Sequence, residues 1–464
     1  MLGLLLGLVV TIIVGYLIIK KYKAQFVLLC GGIILMCFAV LFGLGEILPA
    51  NKSTGWVGFD IFEFIKNLFS TRAADLGLMI MAVGGFARYM DKIGASEALV
   101  NVAVKPLNAI KAPYLVLALA YIIGQILNIF IPSASGLGLL LMLTIFPILV
   151  NLGVSREGAA ALIATTACLD LGPASGNAVL AAKTANIDIA EYFVNYQLKL
   201  AIVTMIVIAT SHFFVQKWFD KKQALLGNGS IMENGIEADT KVENQNNSAL
   251  PIPTVYILLP LLPLVLILTF SKLLVSSIKM NVATAMIISL FIAMLFEFVR
   301  KKDVKQVFAE MQVFFDGMGK QFAAVVTLIV AGETFAKGLT AVGAIDTIIL
   351  GAQTSGFGVF LMTLVMVLII TLSAIVMGSG NAPFFAFAAL APKVATGLGI
   401  SPVLMVLPMQ LVAGIARSMS PITAVIVAVS GVANVSPFDL IKRTALPMAF
   451  ALLTVFFGTF VLYH

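Results

Sequence analysis

The chain has 464 residues, of which 61% are hydrophobic and only 11% are charged, and its formal net charge is +7. A soluble domain uses apolar residues for about half of its length and charged residues for about a quarter, so this composition excludes one. Long apolar runs recur from end to end and predict an all-α polytopic membrane protein. The excess Lys and Arg lie at the ends of these runs, which indicates membrane orientation and no nucleic-acid partner.

The first half of the chain, residues 1–219, is predicted to contain about five membrane spans and one re-entrant hairpin. In the hairpin, the apolar stretch from Pro113 to Ile131 breaks at Pro132–Gly136, and the stretch that follows is too short to cross comfortably. A further helix is interrupted from Asp170 to Asn177. The other spans are predicted at about Leu2 to Ile19, Phe26 to Leu48, Leu76 to Tyr89 and Phe193 to Phe214, with an interfacial amphipathic stretch from Ile61 to Phe69.

Residues 220–251 are polar and rich in Asn, Glu and Gly, which predicts a cytoplasmic linker that cannot fold alone. The second half, residues 252–464, then follows the plan of the first. Its hairpin runs from about Phe357 to Val394 with the tip at Gly378–Pro383, and its interrupted helix covers about Val403 to Val429. The other spans are predicted at about Pro253 to Phe270, Val282 to Phe298, Phe322 to Leu339 and Leu446 to Leu462.

The two halves share short sequence features at nearly constant spacing. Phe86–Arg88 corresponds to Phe335–Lys337 at 249 positions, and Pro173 corresponds to Pro421 at 248 positions. An odd number of spans in each half inverts the second half relative to the first, and the positive charges then fall on one side of the membrane. The predicted fold is therefore an inverted-repeat secondary transporter.

The four interruptions are the predicted substrate site. Backbone opened at membrane depth is tolerated only where it is buried in protein or lines a watery cavity. Paired interruptions in two halves are a sequence indicator of a transporter binding site. The predicted substrate-binding residues are Ser133, Ser135, Gly136, Asp170, Pro173, Ser175, Asn177, Ser379, Asn381, Arg417, Ser418, Ser420 and Thr423.

The chemistry of these residues suits a carboxylate. Free N–H groups at half-helix N-termini attract anions, and the Arg417 guanidinium matches a carboxylate in bidentate fashion. Asp170 could carry a proton or bind Na⁺, so the coupling ion is H⁺ or Na⁺. Two structural alternatives stand beside this interpretation: the small residues only permit close helix packing, and Asp170 and Arg417 pair with each other.

Other functions find less support in the sequence. The chain has only two histidines and no phosphate-binding Gly-x-x-x-x-Gly-Lys-Ser/Thr run, so we predict no catalytic residues, no resident cofactor and no metal site. A cation/proton antiporter or a carrier of another organic anion on the same fold remains an alternative. A polytopic enzyme or a non-transporting receptor is the least favoured hypothesis.

The interruptions resemble those of a known family. Pro132–Gly136, Asp170–Asn177, Met377–Pro383 and Ala416–Pro421 are similar to the corresponding motifs of the anaerobic C4-dicarboxylate carriers of the DcuC type, and the resemblance covers essentially the whole chain. That family lies in a larger ion-transporter superfamily with the divalent-anion/sodium symporters, whose hairpin tips carry Ser-Asn-Thr. This chain departs from that pattern, with Ser133-Ala134-Ser135 and Ser379-Gly380-Asn381 at its tips.

The resemblance implies succinate efflux, or exchange of fumarate for succinate, in anaerobic metabolism. It also implies a multi-pass protein of the bacterial inner membrane that binds small dicarboxylate anions. Relatives move one domain as an elevator against a fixed one, often as homodimers. The amphipathic segments Ala98 to Lys111 and Ala341 to Ser355 would join the two domains.

Overall fold

The computed structural model describes residues 2–225, 252–354 and 358–463, and within these ranges all regular elements are helical. Most of the predicted linker at residues 220–251 lies outside the described residues. In the first half the α-helices are α1 (Leu2–Ile19), α2 (Ala24–Leu41), α3 (Val57–Arg72), α4 (Leu78–Lys92), α5 (Ala95–Ala103), α6 (Pro113–Phe130), α7 (Ala134–Asn151), α8 (Arg156–Thr165), α9 (Gly176–Ala185), α10 (Ile189–Glu191) and α11 (Leu198–Leu225).

The second half contains a similar succession of helices. They are α12 (Leu262–Thr269), α13 (Val282–Lys301), α14 (Val304–Gln321), α15 (Thr327–Ala341), α16 (Ala344–Thr354), α17 (Gly358–Met377), α18 (Asn381–Phe387), α19 (Ala391–Gly397), α20 (Val403–Arg417), α21 (Ala424–Ala433) and α22 (Pro437–Tyr463). Three π-helical turns, at Ala73–Gly77, Tyr192–Gln197 and Phe322–Val326, join consecutive helices without a break.

Eight helical runs in the described ranges are long and apolar enough to cross a membrane. One of them, Val304–Ala341, is a single run of 38 residues in which a π-helical turn joins α14 to the predicted span at about Phe322 to Leu339. The span predicted at Pro253 to Phe270 is shorter than expected, because α12 has only eight residues. Pro260 and Pro263 lack the backbone N–H that a continuous helix would need there.

Both hairpin tips contain fewer non-helical residues than predicted. The Ser133 hydroxyl accepts the Gly136 N–H at 3.2 Å and caps α7, so Ala134–Gly136 already belongs to the helix. Helix α7 has 18 residues and is long enough to span, contrary to the expectation that this arm is too short. At the second tip Gly378 has a φ of +65°, and a Cβ there would lie 2.7 Å from the side chain of Ile422.

The two interrupted helices break where the sequence predicts. Helix α8 ends at Thr165 and α9 begins at Gly176, while α20 ends at Arg417 and α21 begins at Ala424. The first break includes Asp170, which has a φ of +47° and thus a left-handed backbone that is uncommon for a residue other than glycine.

The helices pack into two bundles. In the first bundle, α2 packs against α15, and α4 packs against α13 and α14. The second bundle contains all four interruptions, with α11 against α6 and α22, α20 against α17 and α22, and α7 against α8 and α21. The bundles meet mainly where α15 contacts α18, and at Gly332 a Cβ would lie 2.6 Å from the Ala386 Cα. Small residues therefore let the two backbones approach closely at this junction.

A buried ion pair ties the second bundle together at one end. Arg443 is 2% exposed, and its Nη1 donates to Asp220 Oδ1 at 2.7 Å. The other carboxylate oxygen of Asp220 accepts from the Tyr114 hydroxyl and from the Ser155 N–H. The pair thus joins α22, α11, α6 and the start of α8.

We expect Arg443→Ala to destabilise the protein by about 3–5 kcal/mol, because it leaves the Asp220 carboxylate buried without its cation. Lys442 is the matched control, since its ammonium pairs with Asp439 on the exposed side of α22, and Lys442→Ala should change stability by less than about 1 kcal/mol. Thermal unfolding of the detergent-purified protein measures both variants. Equal melting temperatures would contradict a structural role for the buried pair.

Candidate functional site

A cavity of about 250 Å³ lies where the four interruptions meet. Each interruption contributes to its wall, so residues far apart in the chain face one another. The lining residues are Pro132, Ala134, Ser135, Asp170, Ser175, Gly176, Asn177, Gly378, Ser379, Gly380, Asn381, Arg417, Thr423, Ala424 and Val425.

Most of the predicted site residues lie in this wall. The structure brings together Ser135, Asp170, Ser175, Asn177, Ser379, Asn381, Arg417 and Thr423. In the part of the chain that the structure describes, the other five predicted residues do not line the cavity: Ser133, Gly136, Pro173, Ser418 and Ser420.

The structural roles of two of these five explain why they are not in the wall. Ser133 Oγ turns back to cap α7, and Ser418 Oγ donates to the Gly414 carbonyl oxygen at 3.2 Å. These hydroxyls are therefore used by the helix ends themselves. Ala424 and Val425 were not predicted as lining residues, although they lie 248 positions after Gly176 and Asn177. That spacing was the sequence signal for them.

Besides the seven-residue helix α18, three helices of ten residues or more begin in the cavity wall. Helices α7, α9 and α21 begin at Ala134, Gly176 and Ala424, and each start contributes lining residues. The N–H groups of a first helical turn have no partner within the helix, and the helix dipole adds a partial positive charge there. The cavity therefore favours an anion without a large number of cationic side chains.

Asp170 and Arg417 form an ion pair in the wall. Arg417 Nη2 donates to Asp170 Oδ1 at 2.9 Å and to the Ala167 carbonyl oxygen at 2.7 Å. The two side chains are 12% and 11% exposed. The pairing that the sequence left as an alternative is thus present. Among the described residues, the hydrogen bonds of this guanidinium all come from Nη2, so Nε and Nη1 remain available to a ligand.

An asparagine connects the ion pair to the second hairpin. Asn177 Nδ2 donates to Asp170 Oδ2 at 2.8 Å and to Asn381 Oδ1 at 3.1 Å. Both carboxylate oxygens of Asp170 are therefore satisfied, one by Arg417 and the other by Asn177. The side-chain charges of the ion pair cancel, which leaves the three helix N-termini as the main electropositive feature of the cavity.

A metal centre is not evident in the described ranges, where no group of three or more His, Cys, Asp or Glu residues could hold an ion. The anion-binding character of the cavity comes from helix ends, amides, hydroxyls and one guanidinium. Groups of these kinds can hydrogen-bond an anion.

Comparison with known proteins places the chain in a family. The family model for the C4-dicarboxylate anaerobic carrier DcuC matches residues 2–464. The anaerobic C4-dicarboxylate transporter DcuC of Escherichia coli strain K12 is 38% identical over 457 residues, covering 98% of this chain and 96% of that protein. The probable anaerobic C4-dicarboxylate transporter DcuC of Vibrio cholerae is 36% identical over 464 residues, covering 100% and 98%.

A solved structure supports the fold alone. The YdaH transporter of Alcanivorax borkumensis superposes with a TM-score of 0.55 and 16% sequence identity, covering 92% of this chain and 96% of that one. The apolar helical runs are those of a multi-pass membrane protein, and the relatives matched over nearly their whole length are transporters, so the chain is a membrane transporter and not an enzyme. The chain belongs to the DcuC family of anaerobic C4-dicarboxylate carriers, which are proteins of the bacterial inner membrane.

We expect Gly414→Ala to impair the site, because a Cβ there would lie 2.2 Å from the Cys168 carbonyl oxygen and 2.8 Å from Asp170 Oδ2. Overpacking of this kind costs about 1–3 kcal/mol, and it pushes the first break away from α20. Gly431→Ala is the matched control, since a Cβ there meets nothing within 4 Å. Melting temperature and uptake by proteoliposomes measure both, and a Gly414→Ala variant with wild-type values would refute this contact.

Proposed function

We propose that the protein is a secondary transporter of C4-dicarboxylates that carries out succinate efflux, exchange of fumarate for succinate, or both. The observation that carries the proposal is the cavity, in which three helix N-termini and the Arg417 guanidinium converge. Such a site binds carboxylates by hydrogen bonds and partial charges. The DcuC relatives from Escherichia coli and Vibrio cholerae, which match over nearly their whole length, support the substrate class.

The cavity wall is built from two similar sets of residues, and this supports two like-charged ends on the substrate. Ser175–Asn177 and Thr423–Val425 lie 248 positions apart and both start helices that point into the cavity. Asp170 and Arg417 lie 247 positions apart, Asp170 within the first helix break and Arg417 at the start of the second. A dicarboxylate with a carboxylate at each end matches a wall with two corresponding sets of donors.

We further propose that the two halves, residues 1–219 and 252–464, form an inverted repeat. The π-helical turns Ala73–Gly77 and Phe322–Val326 lie 249 positions apart, as do the left-handed residues Gly94 and Gly343. The shared π-helical turn is the stronger support for a common plan, because π-helices are rare. The cytoplasmic linker predicted at residues 220–251 would then begin only after Leu225, because residues 220–225 belong to α11 and Asp220 is paired with Arg443.

Transport would follow an elevator mechanism in this proposal. The bundle that contains the interruptions would move against the bundle of α2, α4, α13, α14 and α15, with the α5 and α16 regions as connecting arms. The close approach of Gly332 to Ala386 supports this division, because a junction of small residues can slide with little steric hindrance. A homodimer, with the first bundle at the contact between copies, is part of the same proposal.

The alternative of a cation/proton antiporter has one observation in its favour, the Asp170 carboxylate in the cavity wall. Arg417 Nη2 lies 2.9 Å from that carboxylate and already supplies its counter-charge. A carboxylate that is paired in this way is poorly placed to exchange cations. H⁺ or Na⁺ as a coupling ion for dicarboxylate transport remains part of our proposal and is tested with it.

The test is exchange of labelled succinate by proteoliposomes, with internal succinate or fumarate and with imposed Na⁺ or pH gradients. We expect Arg417→Ala to lower the exchange rate at least tenfold, because the loss of a charge-assisted hydrogen bond to a carboxylate costs about 1.5–3 kcal/mol. Arg417→Lys should recover only part of the rate, since an ammonium lacks the planar fork.

Arg156→Ala serves as the control for removing an arginine outside the cavity, where the Arg156 side chain donates to the Ala433 carbonyl oxygen. It should leave succinate affinity unchanged. Undiminished exchange by Arg417→Ala would remove Arg417 from the site. Cation flux that does not depend on any dicarboxylate, in the absence of succinate exchange, would instead support the antiporter.

A further inference from the structure

One face of α20 holds the first break from two directions. Gln410, Gly414 and Arg417 follow an i, i+4, i+7 spacing, so they lie on the same side of the helix. Arg417 binds the Asp170 carboxylate, and Gly414 lets the break approach the α20 backbone closely. Gln410 binds the backbone of the same break and is not part of the cavity wall.

Gln410 is bonded through both atoms of its amide. Its Nε2 donates to the carbonyl oxygens of Leu169 and Asp170 at 3.2 and 3.3 Å. Its Oε1 accepts from Gln197 Nε2 at 3.0 Å and from the Tyr192 hydroxyl at 3.2 Å. Such bonds inside a protein are costly to lose, because the groups left behind cannot reach water.

The partners of Gln410 come from a π-helical turn in the first half of the chain. Tyr192–Gln197 is such a turn, closed by a bond from the Leu198 N–H to the Phe193 carbonyl oxygen. Because a π-helix closes each turn over five residues, Tyr192 and Gln197 come to the same side. An ordinary α-helical turn would separate these two side chains around the helix.

Gln197 also hydrogen-bonds to the backbone of the first break. Its Nε2 donates to the Asp170 carbonyl oxygen at 3.2 Å, and its Oε1 accepts the Gly172 N–H at 3.1 Å. The Asp170 carbonyl therefore receives amides from both halves of the chain. Gln197, Gln410 and Tyr192 are each 0% exposed.

These contacts explain how Asp170 keeps its left-handed backbone. A non-glycine residue in that region costs of order 1 kcal/mol or more, and persists where the surroundings over-determine it. Here the amides of Gln197 and Gln410 hold the carbonyl, while Arg417 and Asn177 hold the carboxylate. The direction of the carboxylate, and the Arg417 guanidinium that follows it, thus depend on the two glutamines.

We propose that Gln410, Gln197 and Tyr192 are positioning residues of the substrate site. They do not touch the substrate; they fix the backbone of Asp170, which orients Arg417 toward the cavity. The inference rests on the proposed function, because affinity for a dicarboxylate is its readout. Without the glutamine amides, the Asp170 backbone relaxes toward an ordinary conformation and its carboxylate moves. The Arg417 guanidinium, which is bonded to that carboxylate, then no longer presents Nε and Nη1 to the ligand.

The experiment measures the Kd of succinate for the full-length protein in detergent by calorimetry, with the melting temperature alongside. We expect Gln410→Leu to raise the Kd at least tenfold. Gln216→Leu is the matched control: Gln216 is also 0% exposed and bonded through its amide, but its partners are His212 and Arg443. It should lower the melting temperature by at least as much as Gln410→Leu and leave the Kd within twofold of wild type.

Two further variants separate positioning from general destabilisation. If Gln197 and Gln410 act through the same carbonyl, the double Leu variant should raise the Kd no more than the larger single effect. Tyr192→Phe removes the hydroxyl that donates to Gln410 Oε1. This variant should raise the Kd about two- to fivefold with little loss of stability.

The outcomes distinguish the two proposals. No succinate binding by the wild-type protein would refute the proposed function. Wild-type binding together with an unchanged Kd in Gln410→Leu, or in Tyr192→Phe should the Leu variant fail to fold, would refute the positioning role alone. An equal rise in Kd in Gln216→Leu would also refute it, because the effect would then follow from lost stability.

Discussion

The need to satisfy opened backbone inside an apolar environment governs this structure. Each interruption leaves backbone N–H and C=O groups that lipid cannot hydrogen-bond. In the second bundle, polar side chains next to the breaks bond to these groups. Around Asp170 these are Gln197, Gln410, Asn177 and Arg417, and all of them are largely buried. The carbonyl groups of the break are covered by amides, while the N–H groups at the starts of α7, α9 and α21 are left facing the cavity. That asymmetry gives the cavity wall a partial positive charge, which favours an anion.

Two largely buried arginines of the second bundle are each paired with an aspartate. Arg443 looks in the sequence like one more basic residue at the end of a span, yet its guanidinium is buried and paired with Asp220. Arg417 is also paired, with Asp170, but it retains donors toward the cavity. The first pair joins four helices at one end of the bundle, and the second sits at the binding site. Both pairs join an arginine to an aspartate, with nitrogen–oxygen distances of 2.7 and 2.9 Å. The difference between them therefore lies in what surrounds each pair.

The resemblance to carriers of the DcuC type extends over the whole chain, and its functional content is concentrated at the breaks. The hairpin tips depart from the Ser-Asn-Thr pattern of the sodium symporters, with Ala134 and Gly380 at the middle positions. In the structure both small residues line the cavity. At these positions the tips therefore expose backbone groups and leave room where the Asn side chain of that pattern would lie. In the proposed site, the groups left to contact a substrate are then the helix starts and the Asp170 and Arg417 pair.

Sequence by itself determined the helical class, the four breaks and most of the cavity wall, because apolar length and clusters of Gly, Pro and Ser are local properties of the chain. It also indicated the 248-residue spacing that relates Asn177 to Val425. Only the tertiary structure decided that Arg443 is buried and that Gln197 and Gln410 hold Asp170. Those roles depend on contacts between residues more than 200 positions apart and on a π-helical turn, and neither is encoded in a local pattern.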